Sequence, residues 1–485
     1  MSLFSLKFIC FFAIVFVFYY IITPKYQYIW LLAASYFFYA TSNYKYLLVL
    51  LLVTEITYLS ARLMSDKNKD ICLWCGIICS LGILCFFKFW NFWAEGLSYF
   101  FHITDKNTGG IISIIAPVGL SFFVLQALGY LVDVYKGKAI AEKNFAKYAL
   151  FVSFFPLILS GPIERSHNLL EQIRKGTIFS YETVKSGFCL MMWGYVLKLL
   201  IANRLSLIVD AAFEDYTTQT GATLLIAIIL YGIQLYADFA GYSCIAIGVS
   251  RTLGINLIEN FRQPYFSRSI MEFWGRWHIS FSSWLRDYVY IPLGGNRVSK
   301  FRGYLNLLLT FLVSGLWHGT GWKYLAWGGL HGLYQIVGKM TLTTRNKITN
   351  ALKIKTECFS YHLLQRVITF VLADFAWLFF RAPSLKGALM ILKNIVFNFQ
   401  LGNTIADKLY LTGYDIERFG LLLFEIAILF VVDYLHEKKV SIIRWLDAQN
   451  GIFRWGIYVF VCMALIVGVI HDYGLNASTF IYTQF

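Results

Sequence analysis

Apolar runs too long and too numerous for a water-soluble core constrain this chain more than any other feature. Phe11–Ile22, Leu47–Val53, Ile77–Phe87, Ala222–Ile233 and Ile457–Ile470 are nearly uncharged, and several extend through aromatic flanks to the ~20 residues that cross hydrocarbon as a helix. Roughly ten to twelve spans of this kind can be marked. A backbone inside lipid must satisfy its own hydrogen bonds, so the expected class is all-α, a polytopic transmembrane helical bundle. The first run begins near Phe8 after Lys7 and has no small-x-small cleavage pattern behind it, so it is expected to stay as a first helix. Aromatic pairs such as Tyr19-Tyr20 and Phe154-Phe155 suit the headgroup boundary, although ordinary packing also accounts for many of them.

Charge points the same way. Forty-two Lys and Arg face 27 acids, for a net +15. In a soluble protein that excess would suggest nucleic acid. Here the basic residues sit between apolar spans, which makes them cytoplasmic loops of a multi-pass protein in the cell (inner, cytoplasmic) membrane, in contact with lipid and not with nucleic acid. Of the nine cysteines, Cys72, Cys75 and Cys79 fall in an apolar run with no His or acid beside them, so buried thiols are expected there, with neither a metal site nor a disulfide. No Gly/Ser-rich linker interrupts the apolar segments, so residues 1–485 are expected to form a single membrane domain. No internal repeat is visible, which weighs against repeat-built transporter folds.

Two stretches break the spanning pattern. Arg251 to Arg302 carries eight Arg or Lys and three acids and should lie at the cytoplasmic interface. Arg345 to Arg366 has Lys347, Lys353 and Lys355 against Glu357. Two apolar segments of about 14 and 18 residues separate the stretches, so two crossings or one re-entrant hairpin place both on the cytoplasmic side.

Taken as one helix, Ile270 to Tyr288 gathers Phe273, Trp284, Trp277, Tyr288, Phe281, Trp274 and Leu285 into an arc of about 120°, with Arg276, Ser280, Ser283, Glu272, Asp287 and Arg286 outside it. That is an amphipathic interfacial helix, with Gly275 as the place where it could break. His278 falls at the edge of the apolar arc, pointing into the protein. The next apolar segment ends in Trp317-His318-Gly319-Thr320-Gly321-Trp322, and Gly328-Gly329-Leu330-His331-Gly332 follows. In one straight helix His318 and His331 would stand ~20 Å apart and about 220° around the axis, so Gly319 and Gly321 are expected to break it. Gly328 and Gly332 beside His331 either admit another backbone or leave room for a substrate. The competing account of these histidines is an interhelical hydrogen bond to a carbonyl.

An imidazole at membrane depth stays neutral and can take a proton from a hydroxyl attacking an acyl carbonyl. Such general-base acyl transfer also needs donors for the developing oxyanion, and Trp N–H groups, Arg side chains and Asn296 are candidates. No Gly-x-Ser-x-Gly elbow, His-Glu-x-x-His or Gly-x-x-x-x-Gly-Lys occurs, so a hydrolase, a zinc protease and an ATPase have no support.

These residues fall in a recognisable set of motifs. Pro117-Val-Gly-Leu-Ser-Phe through Asp133-Val-Tyr, Ser160-Gly-Pro-Ile-Glu-Arg165, Tyr236-Ala-Asp-Phe-Ala-Gly-Tyr242, Glu272-Phe-Trp-Gly-Arg-Trp-His278, Leu285-Arg-Asp-Tyr-Val-Tyr-Ile-Pro-Leu-Gly-Gly-Asn-Arg297, Trp317-His-Gly and Trp327-Gly-Gly-Leu-His331-Gly span about 115–335. The set resembles the membrane-bound O-acyltransferases (MBOAT), in the bacterial branch that acetylates alginate, peptidoglycan and cellulose. The resemblance implies a helical shell with interfacial and re-entrant helices around a tunnel, with His331 as the catalytic histidine and His278 as a second functional one. It gives supporting or substrate-binding positions at His318, Trp317, Arg276, Trp277, Arg286, Asp287 and Asn296, and no metal. It further implies no bound cofactor, acetyl-CoA or another acyl thioester as donor, a polysaccharide acceptor outside the cell, and an extracytoplasmic partner resembling SGNH esterases. One departure is visible: Cys244 stands where the family commonly has Asp. The alternatives are D-alanyl transfer to teichoic acid, a multi-spanning transporter or flippase, and a noncatalytic scaffold for a cell-envelope complex.

Overall fold

A computed structural model describes residues 1–100, 115–400 and 416–471. The described residues are mostly helical, and among them there is no strand. Among the described residues, six helices are long and apolar enough to cross a membrane, namely Tyr46–Leu63, Lys69–Trp90, Gly221–Thr252, Phe359–Arg381, Glu417–Glu437 and Gly451–Ile470. Two shorter apolar helices, Leu6–Ile21 and Leu120–Tyr135, add to them. The sequence suggested ten to twelve spans. Several of those runs are cut into short helices by Gly, Pro or a π turn, and apolar character alone does not reveal where a run is cut.

The chain divides into two compact units, residues 1–188 with 246–258, and residues 189–245 with 259–485. The first unit begins with α1 (Leu6–Ile21), α2 (Gln27–Ala40), α3 (Tyr46–Leu63) and α4 (Lys69–Phe100). Ser5 caps α1 by accepting from the Phe8 backbone N–H, and the chain leaves the helix just before Pro24, which cannot continue it. Phe8, Phe12, Val15 and Tyr19 recur at helical spacing on the buried face, while Ile9, Ile14 and Phe18 on the opposite face are about half exposed. A helix that presents large apolar side chains outward as well as inward is built for lipid. The same reason corrects the expectation for the cysteines of α4. Cys75 and Cys79 are exposed, and Cys72 is partly so, because the apolar exterior of this helix is not covered by protein.

The first unit continues with α5 (Leu120–Tyr135), α6 (Phe145–Ser153) and α7 (Ser166–Lys175). Its motif acid, Glu164, is buried and structural: its carboxylate accepts from the Asn168 amide at 2.9 Å, the Arg165 backbone N–H at 3.2 Å and the Ile258 backbone N–H. A carboxylate holding three donors ties a loop in place.

α8 (Tyr181–Tyr195) runs into a π-helical stretch, Val196–Ala202, followed by α9 (Asn203–Glu214) and α10 (Gly221–Thr252). Most of α10 is buried, and it carries Asp238 into the second unit's interior. Lys198, on the π-helical stretch, pairs with Asp238 at 2.6 Å. A charge at this depth is expensive unless it is matched, and each residue supplies the other's counter-charge.

The stretch expected to be one interfacial helix is broken. It forms α11 (Ile270–Arg276), α12 (Ile279–Leu285) and a π turn, Arg286–Tyr290. The break falls at Trp277-His278, not at Gly275, and His278 takes a left-handed backbone conformation with φ 45° and ψ 52°. The expected apolar arc nevertheless holds on both pieces, since Phe273, Trp274, Trp277, Phe281 and Leu285 are all buried. Ser280, expected outside the arc, is fully buried, because the break turns α12 relative to α11.

Next come α13 (Lys300–His318) and α14 (Trp322–Ala351), then α15 (Phe359–Arg381) and α16 (Leu385–Phe397), and finally the long helices Ile416–Glu437 and Gly451–His471. As the glycines imply, Gly319 and Gly321 end one helix and start the next, so His318 closes α13 and His331 lies inside α14. The two helices form a hairpin that crosses at Gly315 and Gly328. A Cβ on Gly315 would strike the Tyr324 carbonyl oxygen, and one on Gly328 would strike that of Phe311. Of the two uses foreseen for Gly328, close backbone approach is the one realised.

Candidate active site

The histidines gather in the second unit, inside a shell of aromatic rings. His331 is completely buried. Its ring meets Trp274 from α11 at 5.0 Å, Trp327 one turn earlier on α14 at 5.1 Å, Phe311 from α13 at 6.1 Å and Trp377 from α15 at 6.0 Å, centroid to centroid. Four helices therefore fix one imidazole. The Trp274 indole N–H donates to His331 Nδ1 at 3.2 Å. The other ring nitrogen, Nε2, is buried and has no hydrogen-bond partner among the described residues.

His278 sits in a different setting. Its Nδ1 lies 3.1 Å from Asn260 Oδ1, and the same oxygen accepts from the Ser280 hydroxyl at 2.8 Å and the Ser280 backbone N–H at 3.3 Å. Asn260 in turn donates through its amide nitrogen to the Ser243 hydroxyl at 3.1 Å. Backbone bonds hold the same strip, from Ile279 N–H to the Asn260 carbonyl and from Arg262 N–H to the Arg276 carbonyl, both 2.9 Å. A non-glycine residue in the left-handed region is strained, and this network supplies the compensation.

His318 is also buried, edge-on to Trp327 at 4.9 Å and to Phe380 at 5.2 Å. Trp317 packs over Phe281 at 4.3 Å and within 6.2 Å of the His278 ring. A continuous run of rings thus joins His278, Trp317, His318, Trp327 and His331, with centroid steps of 6.2, 4.7, 4.9 and 5.1 Å. Trp277 belongs to the supporting layer, stacked on Phe273 at 5.4 Å and against Trp377 at 5.0 Å.

The polar candidates divide from this cluster. Arg276 bonds Glu437 at 2.6 Å and Glu272 at 2.6 Å. Burial works against its charge, but these carboxylates hold its pKa above the ordinary guanidinium value. Its guanidinium is thus paired with two carboxylates, from Glu272 on its own helix and Glu437 on Ile416–Glu437. Arg286 is mostly exposed and, among the described residues, pairs with its neighbour Asp287 at 3.0 Å. Asn296, also exposed, accepts from the Tyr290 hydroxyl at 2.7 Å and the Lys339 ammonium at 3.3 Å. None of the contacts described for Arg286 or Asn296 reaches a histidine of the cluster, so the structure does not bring these two to it.

Sequence reasoning missed Asn260, Trp274, Trp327 and Trp377 as site residues. Trp274 and Trp327 stand inside quoted motifs, but the indole of Trp274 bonds His331, 57 residues away, and not the nearby His278, so spacing within the motif did not point to it. Asn260 and Trp377 carried no signal either, since only the tertiary fold places them.

Comparison with known proteins identifies the family. The model of the membrane-bound O-acyltransferase family matches residues 2–382. A probable alginate O-acetylase of Pseudomonas syringae pv. tomato is 36% identical over 375 residues, covering 76% of this chain and 70% of the relative. A peptidoglycan O-acetyltransferase of Helicobacter pylori is 34% identical over 403 residues, covering 77% and 74%. A teichoic acid D-alanyltransferase of Streptococcus thermophilus is 29% identical over 257 residues, covering 50% and 62%. A multi-pass helical chain with this match over most of its length is a member of the membrane-bound O-acyltransferase family, and its activity is O-acyl transfer.

Proposed function

We propose that this chain moves an acetyl group from acetyl-CoA on the cytoplasmic side towards hydroxyls of an extracytoplasmic polysaccharide, with His331 as the catalytic residue and His278 as a second residue of the site. The observation that carries the reading is the His331 ring: completely buried, fixed by aromatic side chains from four helices, with Nε2 left over for a substrate. A buried polar atom without a partner is costly in a structural residue and useful in a catalytic one. The named acceptors of the O-acetylating relatives, alginate and peptidoglycan, support a polysaccharide acceptor, and their identities exceed that of the D-alanyl transfer relative. A small acyl group suits a histidine so closely walled by rings. The rings of Trp317 and His318 stand between the two histidines. The whole chain acts as one unit in the cytoplasmic membrane, with the 251–302 and 345–366 stretches on the cytoplasmic side, and hands the acyl group to an extracytoplasmic partner resembling SGNH esterases.

The deciding experiment measures O-acetyl groups released by mild alkali from the envelope of cells whose only copy of the protein is His331→Ala. Loss of at least about a hundredfold, with protein level and thermal stability near those of the parent, is expected. A folded variant retaining transfer within about tenfold of the parent removes His331 from the mechanism.

A further inference from the structure

We propose that Trp274 is a positioning residue that keeps the proton of His331 on Nε2, so that His331 serves acyl transfer as a neutral hydrogen-bond donor to the acyl carbonyl oxygen. This rests on His331 being the catalytic residue, and it changes the role the sequence suggested for it. An indole N–H can only donate. With Trp274 Nε1 3.2 Å from His331 Nδ1, that ring nitrogen must present its lone pair. A neutral imidazole carries one N–H, so the proton resides on Nε2. To act as a base through Nε2, the ring would have to hold its proton on Nδ1, aimed at another N–H in a site closed to water. Turning the ring over would put a carbon where Nδ1 stands and forfeit its hydrogen bond to Trp274. The rings of Trp327, Phe311, Trp377 and Tyr334, at 5.1, 6.1, 6.0 and 5.8 Å, wall the imidazole in.

His278 shows that the fold can hold a histidine the other way. The oxygen of the Asn260 amide is identified by the Ser280 backbone N–H that it accepts, since a backbone N–H cannot face an NH2 group. His278 Nδ1 must therefore donate to it, which leaves the lone pair of that ring on Nε2. The two functional histidines are held in opposite tautomers, by a carboxamide oxygen in one case and an indole N–H in the other.

The chemistry balances without a charge change at His331. The acceptor oxygen attacks the thioester carbonyl carbon, and the carbonyl π pair moves onto its oxygen, which receives the Nε2–H hydrogen bond. The C–S bond then breaks as the C=O re-forms. The departing sulfur takes the bonding pair and the proton given up by the hydroxyl, giving an ester and a free thiol. A neutral imidazole is a competent donor to an oxygen that gains charge in this way.

The full-length protein, produced with isotope-labelled histidine and held in lipid nanodiscs, allows a direct test by nitrogen NMR of the imidazole rings, with the His331 signals assigned by their loss in His331→Gln. The expected result is an unprotonated Nδ1 and a protonated Nε2 in the parent, and a mixture of tautomers in Trp274→Phe, which keeps the ring but removes the donor. Trp274→Phe should also lower O-acetyl transfer by about tenfold at unchanged protein level, the effect of losing one hydrogen bond to a working group. His331→Gln, whose amide can donate where Nε2–H stands but cannot accept a proton, should retain at least about tenfold more transfer than His331→Ala. A protonated Nδ1 in the parent, or a His331→Gln variant that is folded and as inactive as His331→Ala, overturns the assignment. Neither outcome touches the catalytic role itself, which fails only if folded His331→Ala still transfers.

Discussion

The pockets of His278 and His331 share aromatic walls, with Phe239 and Phe281 at 4.6 and 5.0 Å from the His278 ring, but differ in their polar partners. His278 has a carboxamide oxygen beside its Nδ1, that of Asn260, which Ser280 also bonds, and its backbone is bent into the left-handed region. His331 sits on an unbroken helix, and everything that fixes it comes from rings, with one indole N–H as its hydrogen-bond partner among the described residues. Polar groups specify direction cheaply but demand a local backbone to match. Rings specify position by bulk and need several helices to converge. The His278 pocket should therefore be the more sensitive to losing hydrogen bonds, and the His331 pocket to losing its walls.

Four substitutions test that difference, in decreasing order of expected effect. His278→Ala should reduce O-acetyl transfer by about a hundredfold or more, close behind the loss expected for His331→Ala, as measured by alkali-labile acetate at matched protein levels. A His278 variant as active as the parent would make its pocket structural only. Asn260→Leu removes the acceptor shared by His278 and both Ser280 donors. It should cost about 1–3 kcal/mol of stability, read as a lowered Tm in detergent, along with most of the transfer activity. Unchanged stability would mean that the network around Asn260 contributes nothing. His318→Phe preserves the ring contacts with Trp327 and Phe380 and should change transfer by less than about tenfold. A larger drop would bring His318 into the proton chemistry. Smallest of all, Arg286→Ala should shift stability by no more than about 0.5 kcal/mol, since its one ion pair is exposed. Loss of transfer in that variant at unchanged KM would show that the polar turn belongs to the reaction after all.

Much of this was legible in advance because lipid simplifies the code. A helix that crosses hydrocarbon must be apolar, and a histidine there must have a reason, so the bundle, the burial of His278 and the glycine break between His318 and His331 all follow from local patterns. The break at Trp277-His278 did not, because nothing in Arg-Trp-His marks a left-handed residue. It is imposed by Asn260, whose oxygen collects three donors from the turn that the break creates. The partners of Arg276 and Asn296 were not legible for a related reason. A charged or amide side chain in a motif says that a polar contact is made, and the fold decides with whom.

Arg276 carries a consequence for where this enzyme ends. Its counter-charge Glu437 lies on the helix Ile416–Glu437, as does Asp433, which accepts from the Tyr236 hydroxyl at 2.8 Å. The family match stops at residue 382. Two of the family's own motifs, Arg-Trp-His and Tyr-Ala-Asp-Phe, are thus completed by a helix that lies beyond the matched region. A version of this chain cut at the boundary of its recognisable part would keep every signature residue. It would nonetheless leave the Arg276 guanidinium with Glu272 alone and the buried Tyr236 phenol without Asp433, so transplanting this active site into another scaffold means carrying the helix Ile416–Glu437 with it.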